Sequence, residues 1–305
     1  MADNISDLAF FVLLVKRGSL VATAQELGVT PPAVSKRLAA IEQRLGVRLL
    51  QRTTRRIGLT PEGEVYLVEG ARVLDELEAL EHNVAGSKAM PKGRLRVCSS
   101  LGFGRKYIAP ALSNFAGKYP QVELQLHLTD RPVNVVEQGF DLHIRAGELP
   151  DSRLTARLLV RNRRVLCASP AYLRRAGVLS SPRELAQRAC LFIREGNEAF
   201  GTWHLRAGSR TETVKVHGPL AANDGECVLG WALDGHGVVM RSLWEAAPML
   251  RSGRLQLVLP DWTLPSADIY AVFPTRSHLS AKTRALVDFL LATFEPHRLD
   301  EDGGW

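Results

Sequence analysis

The residues SLVATAQELGVTPPAVSKRLAAIEQRLGVRLLQRTTRRIGLTPEG, Ser19 to Gly63, hold two short helical patterns, a tight turn between them and a basic stretch after them. Ser19 is placed to cap a helix from Leu20 to Leu27, with Ala24 and Leu27 turned inward and Gly28 closing it. Thr30 caps the next helix, and prolines are tolerated in its first turn. Val34, Leu38, Ile41 and Leu45, spaced 4, 3 and 4, form one apolar stripe along it. The opposite side carries Thr30, Pro31, Pro32, Ser35, Lys36 and Arg37. Short side chains at the start and basic ones just after suit a helix whose N-terminus points into a DNA groove. Gly46 breaks the helix, and Val47–Leu50 and Ile57–Leu59 read as two strands of a hairpin. Its tip offers Arg52, Thr53, Thr54 and Arg55 to phosphates or a minor groove. One helix to brace, one to enter the major groove and a hairpin to grip the backbone make a winged helix-turn-helix.

Charge follows the same division. Residues 1–60 carry nine Lys/Arg against four Asp/Glu, whereas residues 61–88 carry two against seven. Basic charge is thus dense in the small N-terminal region and then reverses. The net charge of +7 fits a polyanionic partner, and the run from Lys36 to Arg56 lies where a DNA-reading surface needs it.

Thr60-Pro61-Glu62-Gly63 is a cap-and-proline helix start. From Pro61 to about Ala85, Tyr66, Gly70, Val73, Leu77, Leu80 and Val84 follow a 4-3-4-3-4 spacing close to a heptad. Such a seam predicts a dimerising linker helix, because a dyad reader needs two copies of the helix-turn-helix. Packing against its own domain is the alternative. Gly86 to Gly93 reads as a hinge. Beyond it the pattern becomes α/β: strands at Leu95–Cys98, Val122–Leu128, Leu142–Arg145, Arg164–Cys167, Leu191–Ile193, Val238–Met240 and Ile269–Phe273 alternate with helical stretches. At 305 residues two or three domains are expected.

Alternatives in other function classes find less support. Gly102 and Gly104 follow a strand but match neither nucleotide-binding fingerprint. The eight histidines form no close ligand pair, Ser169 and Ser252 lack a nucleophile-elbow context, and the four cysteines show no CxxC pair. No catalytic residue, metal site or cofactor is expected, and Cys98, Cys167, Cys190 and Cys227 are expected as buried, reduced thiols. A solute receptor would explain the last two hundred residues but leaves the first sixty without a role. The N-terminus reads as no signal peptide and no apolar run reaches membrane-span length, so a cytoplasmic protein is expected.

Ala24, Leu27, Pro31, Ala33-Val34-Ser35-Lys36, Ile41-Glu42, Leu45-Gly46-Val47, Leu49, Arg52, Leu59-Thr60 and Gly63 together resemble the LysR-type transcriptional regulators. The likeness continues through Pro110, Phe115, Tyr119-Pro120, Asp141-Leu142, Ile144-Arg145, Ala168 to Leu173, Gly235 and Gly237. Leu49-Leu50 stands where many members have a Leu-Phe pair. Arg52 to Arg55, Ala222 to Glu226 and Ala267 to Tyr270 are similar to the subgroup that regulates malate and tartrate degradation.

The resemblance implies a multidomain chain. A winged helix-turn-helix (1–60) and a long linker helix (61–88) join a two-lobe, periplasmic-binding-protein-like effector domain (89–305). Lobe I would comprise 93–163 and 267–305, and lobe II 164–266. In such folds ligands bind at strand C-terminal ends between the lobes. Ser99, Ser100, Thr129, Arg145, Thr202, Asn223 and Asp224 are the expected effector contacts, with Ser99-Ser100 leading because a helix start favours an anion. The expected partners are double-stranded DNA carrying an interrupted inverted repeat, a small organic-acid effector, further copies of the chain as a dimer or dimer of dimers, and RNA polymerase.

Overall fold

In the computed structural model, residues 2–51, 58–85, 90–147, 154–193, 201–275, 279–299 and 305 are described. The chain divides into two compact units, Met1–Ala89 and Met90 onward, with the short stretch Ser277–Ala281 grouped with the first.

The first unit opens with α1 (Ala2–Arg17), α2 (Leu20–Leu27) and α3 (Pro31–Leu45). Ser19 caps α2 through its side chain, accepting from the Ala22 amide. Gly28 ends α2 in the left-handed region at φ 65°, which lets the chain turn at once toward α3. Val34 and Ile41 of the α3 stripe are buried with Phe10, Phe11 and Leu14 of α1. Two short strands, β1 (Leu50–Gln51) and β2 (Gly58–Leu59), pair antiparallel with Leu50 opposite Leu59. Glu42 fastens this wing to α3, its Oε1 accepting from the amides of Leu49 (2.8 Å) and Leu50 (3.2 Å). Leu49 and Leu50 are both buried, so the pair fills the core position without an aromatic ring. The long helix α4 (Pro61–Ala85) follows. At Gly63 any Cβ would collide with the Leu49 carbonyl, so only glycine lets α4 start this close to the wing.

The α4 seam divides along its length. Tyr66 lies edge-on to Phe11 of α1 at 5.2 Å, and Gly70 is buried where the Leu8 side chain leans on it. The first part therefore packs within its own unit, which was the alternative to dimerisation. Val73 and Leu80 further along remain exposed.

The second unit begins with β3 (Gly93–Ser99), α5 (Leu101–Phe103), a π-helical turn (Gly104–Ile108) and α6 (Ala109–Lys118), then β4 (Val122–Leu128), β5 (Leu142–Ala146) and β6 (Leu154–Val160). Helical backbone runs from Leu101, and Trp244 approaches Gly102 while Leu128 and Ser99 approach Gly104 too closely for a larger residue at Gly104. The chain then crosses to β7 (Arg164–Ala168), α7 (Pro170–Ala176), β8 (Cys190–Ile193), the hairpin β9 (Thr202–Ala207) and β10 (Arg210–Lys215), β11 (Ala221–Ala222), α8 (Gly225–Leu233), β12 (Val238–Ser242), α9 (Leu243–Arg251) and β13 (Gln256–Val258). It returns as β14 (Ile269–Pro274), α10 (Ala281–Thr293) and α11 (Glu295–Leu299).

Two five-stranded sheets result, in the orders β4-β3-β5-β14-β6 and β11-β8-β12-β7-β13. In each, three parallel strands are joined through one strand of opposite direction (β14, β7) to a fifth (β6, β13) that runs with the first three, so each lobe repeats the other's plan. On β7, Val165 and Cys167 face the core under α8 and α9, while Leu166 and Ala168 face the core under α7 and the hairpin. That period-two division is why the strand reads as continuously apolar. The two crossovers are tied together at Asn162. Its amide donates to Asp268 Oδ1 (2.8 Å), its Nδ2 to the carbonyl of Ala267 (3.0 Å), and its carbonyl accepts from the Ala267 amide (3.0 Å).

Candidate DNA interface and effector cleft

Along the first turns of α3 the side chains of Thr30, Pro31, Pro32, Ser35 and Lys36 are all exposed. Thr30 occupies the cap position yet its hydroxyl makes no capping bond, leaving it available outward. Arg37 is different. Its Nε donates to Asp7 Oδ1 (3.2 Å), its Nη2 to Ser6 Oγ (2.6 Å), and its guanidinium lies 4.7 Å from the Phe10 ring. Arg44, two turns on, reaches the other oxygen of Asp7 at 3.1 Å. Asp7 on α1 thus gathers two α3 arginines and sets the angle between the helices. Among the expected contacts, Arg37 spends its hydrogen bonds on bracing. Arg52, Thr53, Thr54 and Arg55 lie outside the described residues.

In the second unit the C-terminal ends of β3, β4 and β5 share one edge of their sheet, with Thr129 donating its amide to the Ser99 carbonyl at 2.9 Å. Ser99 itself is fully buried, its Oγ against Gly104 and without a hydrogen bond. Ser100, half-buried, occupies the cap position of α5, again with no side-chain capping bond. The free amide expected to attract an anion already has an internal partner: Leu101 N donates to Asp130 Oδ1 at 3.0 Å. The Asp130 carboxyl is pushed above its ordinary range, chiefly by burial and further by Asp224, against the lowering bond from Leu101. The Thr129 hydroxyl accepts from the Arg131 amide (3.1 Å), and Arg145 stands partly buried at the end of β5.

Lobe II contributes the loop after β11. Asn223 is exposed. Asp224 caps α8, its Oδ1 accepting from the amides of Glu226 (2.9 Å) and Cys227 (3.0 Å), while its Oδ2 meets Arg105 of lobe I at 3.2 Å. The Cys227 amide foremost, then the Cys227 thiol and Arg105, hold this carboxyl below the usual range against the opposing effect of burial. Beneath Gly225 lies the guanidinium of Arg241, which is buried and paired with Glu245. Asp224 thus meets lobe I through Arg105, and its charge also acts on Asp130, the neighbour of Thr129. Thr202 stands on the first rung of the β9–β10 hairpin, opposite Lys215, and no hydrogen bond or ion pair among the described residues joins it to them.

Arg105, Asp130 and Arg241, which adjoin the expected contacts, and Trp244, which packs at the lobe junction, are residues the sequence did not single out. Asp130 carried a usable signal, since it sits two residues beyond a strictly alternating strand. Arg105 lay in a Gly-rich segment weighed only as a nucleotide loop. Burial disposes of three cysteines: the thiols of Cys98, Cys167 and Cys190 are pushed up to about 11, 12 and 12. Cys227, expected to be buried like the others, is instead exposed on the first turn of α8, and its thiol is raised as well, by desolvation and then by Asp224. Among the described residues no group of three or more His, Cys, Asp or Glu could hold a metal. No helix among them is long and apolar enough to cross a membrane.

Comparison with known proteins matches both units. Residues 5–64 fit the model described as "Bacterial regulatory helix-turn-helix protein, lysR family", and residues 88–295 the model described as "LysR substrate binding domain". The chain is 42% identical over 293 residues to the HTH-type transcriptional regulator DmlR of Escherichia coli K12, covering 96% of this chain and 95% of that protein. It is 38% identical over 300 residues to the HTH-type transcriptional activator TtdR of the same strain, covering 98% and 96%. Among solved structures, CrgA of Neisseria meningitidis, titled a LysR-type transcriptional regulator, aligns at a TM-score of 0.60 and 31% identity over 94% of this chain and 98% of that one.

Proposed function

Because the chain belongs to the LysR family of transcriptional regulators, we propose that it acts as a homodimer or dimer of dimers on an interrupted inverted repeat, and that a small organic acid adjusts its grip. The observation that carries the DNA half is the exposed Thr30-to-Lys36 face with its uncommitted Thr30 hydroxyl. Side chains at a recognition helix N-terminus contact base edges, and Arg52, Thr53, Thr54 and Arg55 are the groups offered to the flanking backbone. The exposed Val73 and Leu80 on α4 supply the seam for a second copy. RNA polymerase is the further partner such a regulator addresses, and the cytoplasm the compartment it works in. No catalytic step is part of this reading.

The effector sits at the mouth between the lobes, among Ser100, Thr129, Arg145, Asn223 and Asp224. Hydroxyl and amide groups there take a carboxylate, while Asp130 and Asp224 stand ready to accept from hydroxyls of the ligand. A hydroxy acid satisfies both requirements. Its effect on DNA requires different affinities for two arrangements of the domain, a population shift. A thermal-shift panel of malate, tartrate and succinate tests the idea. At a hundred times its Kd a bound acid stabilises by about 2.7 kcal/mol. The hydroxy acids are expected to raise the melting temperature, succinate less so because it has no hydroxyl. Equal melting curves with and without each acid would contradict the assignment.

A further inference from the structure

Arg105 of lobe I carries its charge across to two carboxylates of lobe II. Its Nη2 lies 3.2 Å from Asp224 Oδ2 and 2.9 Å from Glu226 Oε2. It projects from the π-helical turn of lobe I, where the Ala109 amide bonds back to the Gly104 carbonyl and inserts an extra residue into the helix. Such a bulge rotates the preceding residues relative to a regular helix. Asp224 divides its two oxygens: one caps α8, the other receives Arg105. Moving Arg105 thus pulls on the segment that carries Asn223.

Other interlobe contacts are of a different kind. Trp244 of lobe II lies edge-on to Phe103 (5.5 Å) and Tyr107 (5.7 Å) of lobe I, and its carbonyl takes the Lys106 ammonium at 3.4 Å. The rings set a fulcrum beside the crossovers tied by Asn162, whereas the ion pair lies at the cleft.

We propose that Arg105 is the positioning residue of the effector cleft: through Asp224 and Glu226 it fixes how far the Asn223–Asp224 edge of lobe II stands from the Ser100–Asp130 edge of lobe I. The inference rests on the cleft reading above, but its mechanical part requires no ligand. An exposed ion pair contributes little to overall folding, up to about a fivefold change in an equilibrium constant. Between two lobe arrangements of similar energy, a factor of that size redistributes the population. Two cations act on Asp130 of lobe I, Arg241 first and then Arg105, while Arg241 is also paired with Glu245 below Gly225.

Hydrogen–deuterium exchange of the full-length protein without added effector tests it, read at the amides of Asn162 and Ala267. These amides lie on the crossovers, far in sequence from Arg105, and are hydrogen-bonded. Arg105→Gln is expected to speed their exchange about three- to fivefold. Raising sodium chloride to about 1 M should do the same to the wild type, since salt screens exposed pairs. Glu226→Gln should act in the same direction, the double variant no more than Arg105→Gln alone, and Arg105→Lys should recover part of the protection. Asp224 is left intact because it also caps α8. Crossover exchange unchanged in both variants, with effects confined to peptides around 105 and 226, would overturn the proposal. So would faster exchange in Arg105→Gln with slower exchange in Glu226→Gln, which would assign the guanidinium to another ligand. If exchange responds but no acid shifts the melting curve, the positioning role stands and only the effector class falls. The converse result leaves the effector class standing and removes Arg105 from its role.

Discussion

On α3, the residues that fold the helix and those offered to a partner are different residues; in the cleft they are the same ones. Val34 and Ile41 bury, Arg37 and Arg44 brace against Asp7, and the side chains of Thr30, Ser35 and Lys36 are exposed, with the Thr30 hydroxyl making no capping bond. At the mouth between the lobes, Asp130 satisfies Leu101, Asp224 caps α8 while holding Arg105, and Thr129 takes the Arg131 amide. A surface built for a rigid, repeating polyanion can be static and separate from the core. A cleft that must respond to a small molecule has to spend its polar groups internally, so that a ligand can compete for them or be enclosed by them.

The separation on the reading unit can be stressed through its core. Gly63→Ala places a Cβ on the Leu49 carbonyl, and backbone overpacking of that kind costs about 1–3 kcal/mol. Unfolding followed by two probes should show the first unit melting earlier while the second keeps its transition. A single shifted transition for the whole chain would mean the units are not energetically distinct.

A comparable effect confined to the second unit comes from His143. Burial, and then Arg145, depress its imidazole from 6.5 to about 4. The folded state holds it neutral, so its contribution is intact above about pH 6.5 and is lost as pH falls toward 4. The loss amounts to about 3 kcal/mol at the low end. His143→Leu should flatten the acid limb of that unit's stability curve. An acid limb with the same slope in the variant would show that the imidazole is not held neutral.

The smallest effect sharpens the contrast most. Asp224→Ala removes a helix cap, about 1 kcal/mol, and at the same stroke the interlobe ion pair. Stability and acid response should decline together, whereas Ser35→Ala on α3 should change DNA affinity at constant stability. An Asp224→Ala protein with normal effector response would restore the same division of labour in the cleft.

How much of this was legible follows from the same contrast. The helix-turn-helix could be read because its stripe, caps and polar face are contiguous, and α2 begins and ends where Ser19 and Gly28 say. Arg37 misled because helical spacing locates a residue on a face but not the Asp7 and Ser6 that wait on another helix. The α4 seam was legible as a stripe, yet its period could not say that Tyr66 and Gly70 meet α1 while Val73 and Leu80 stay exposed. Arg105 and Asp224 meet across 119 residues of chain, and no local pattern encodes such a pairing. Ser99 was placed correctly at a strand end, but strand alternation turned it inward beneath Gly104.

The most direct test of the account sets Lys36 against its neighbour. Lys36→Ala and Arg37→Ala would each be titrated on DNA that the wild-type protein selects from a random pool, with thermal unfolding measured in parallel. Lys36→Ala is expected to weaken binding by about 1–3 kcal/mol if it reaches a base, with its melting temperature unchanged, while Arg37→Ala loses melting temperature through the freed Asp7 and Ser6. Wild-type affinity in Lys36→Ala would contradict α3 as the reading helix.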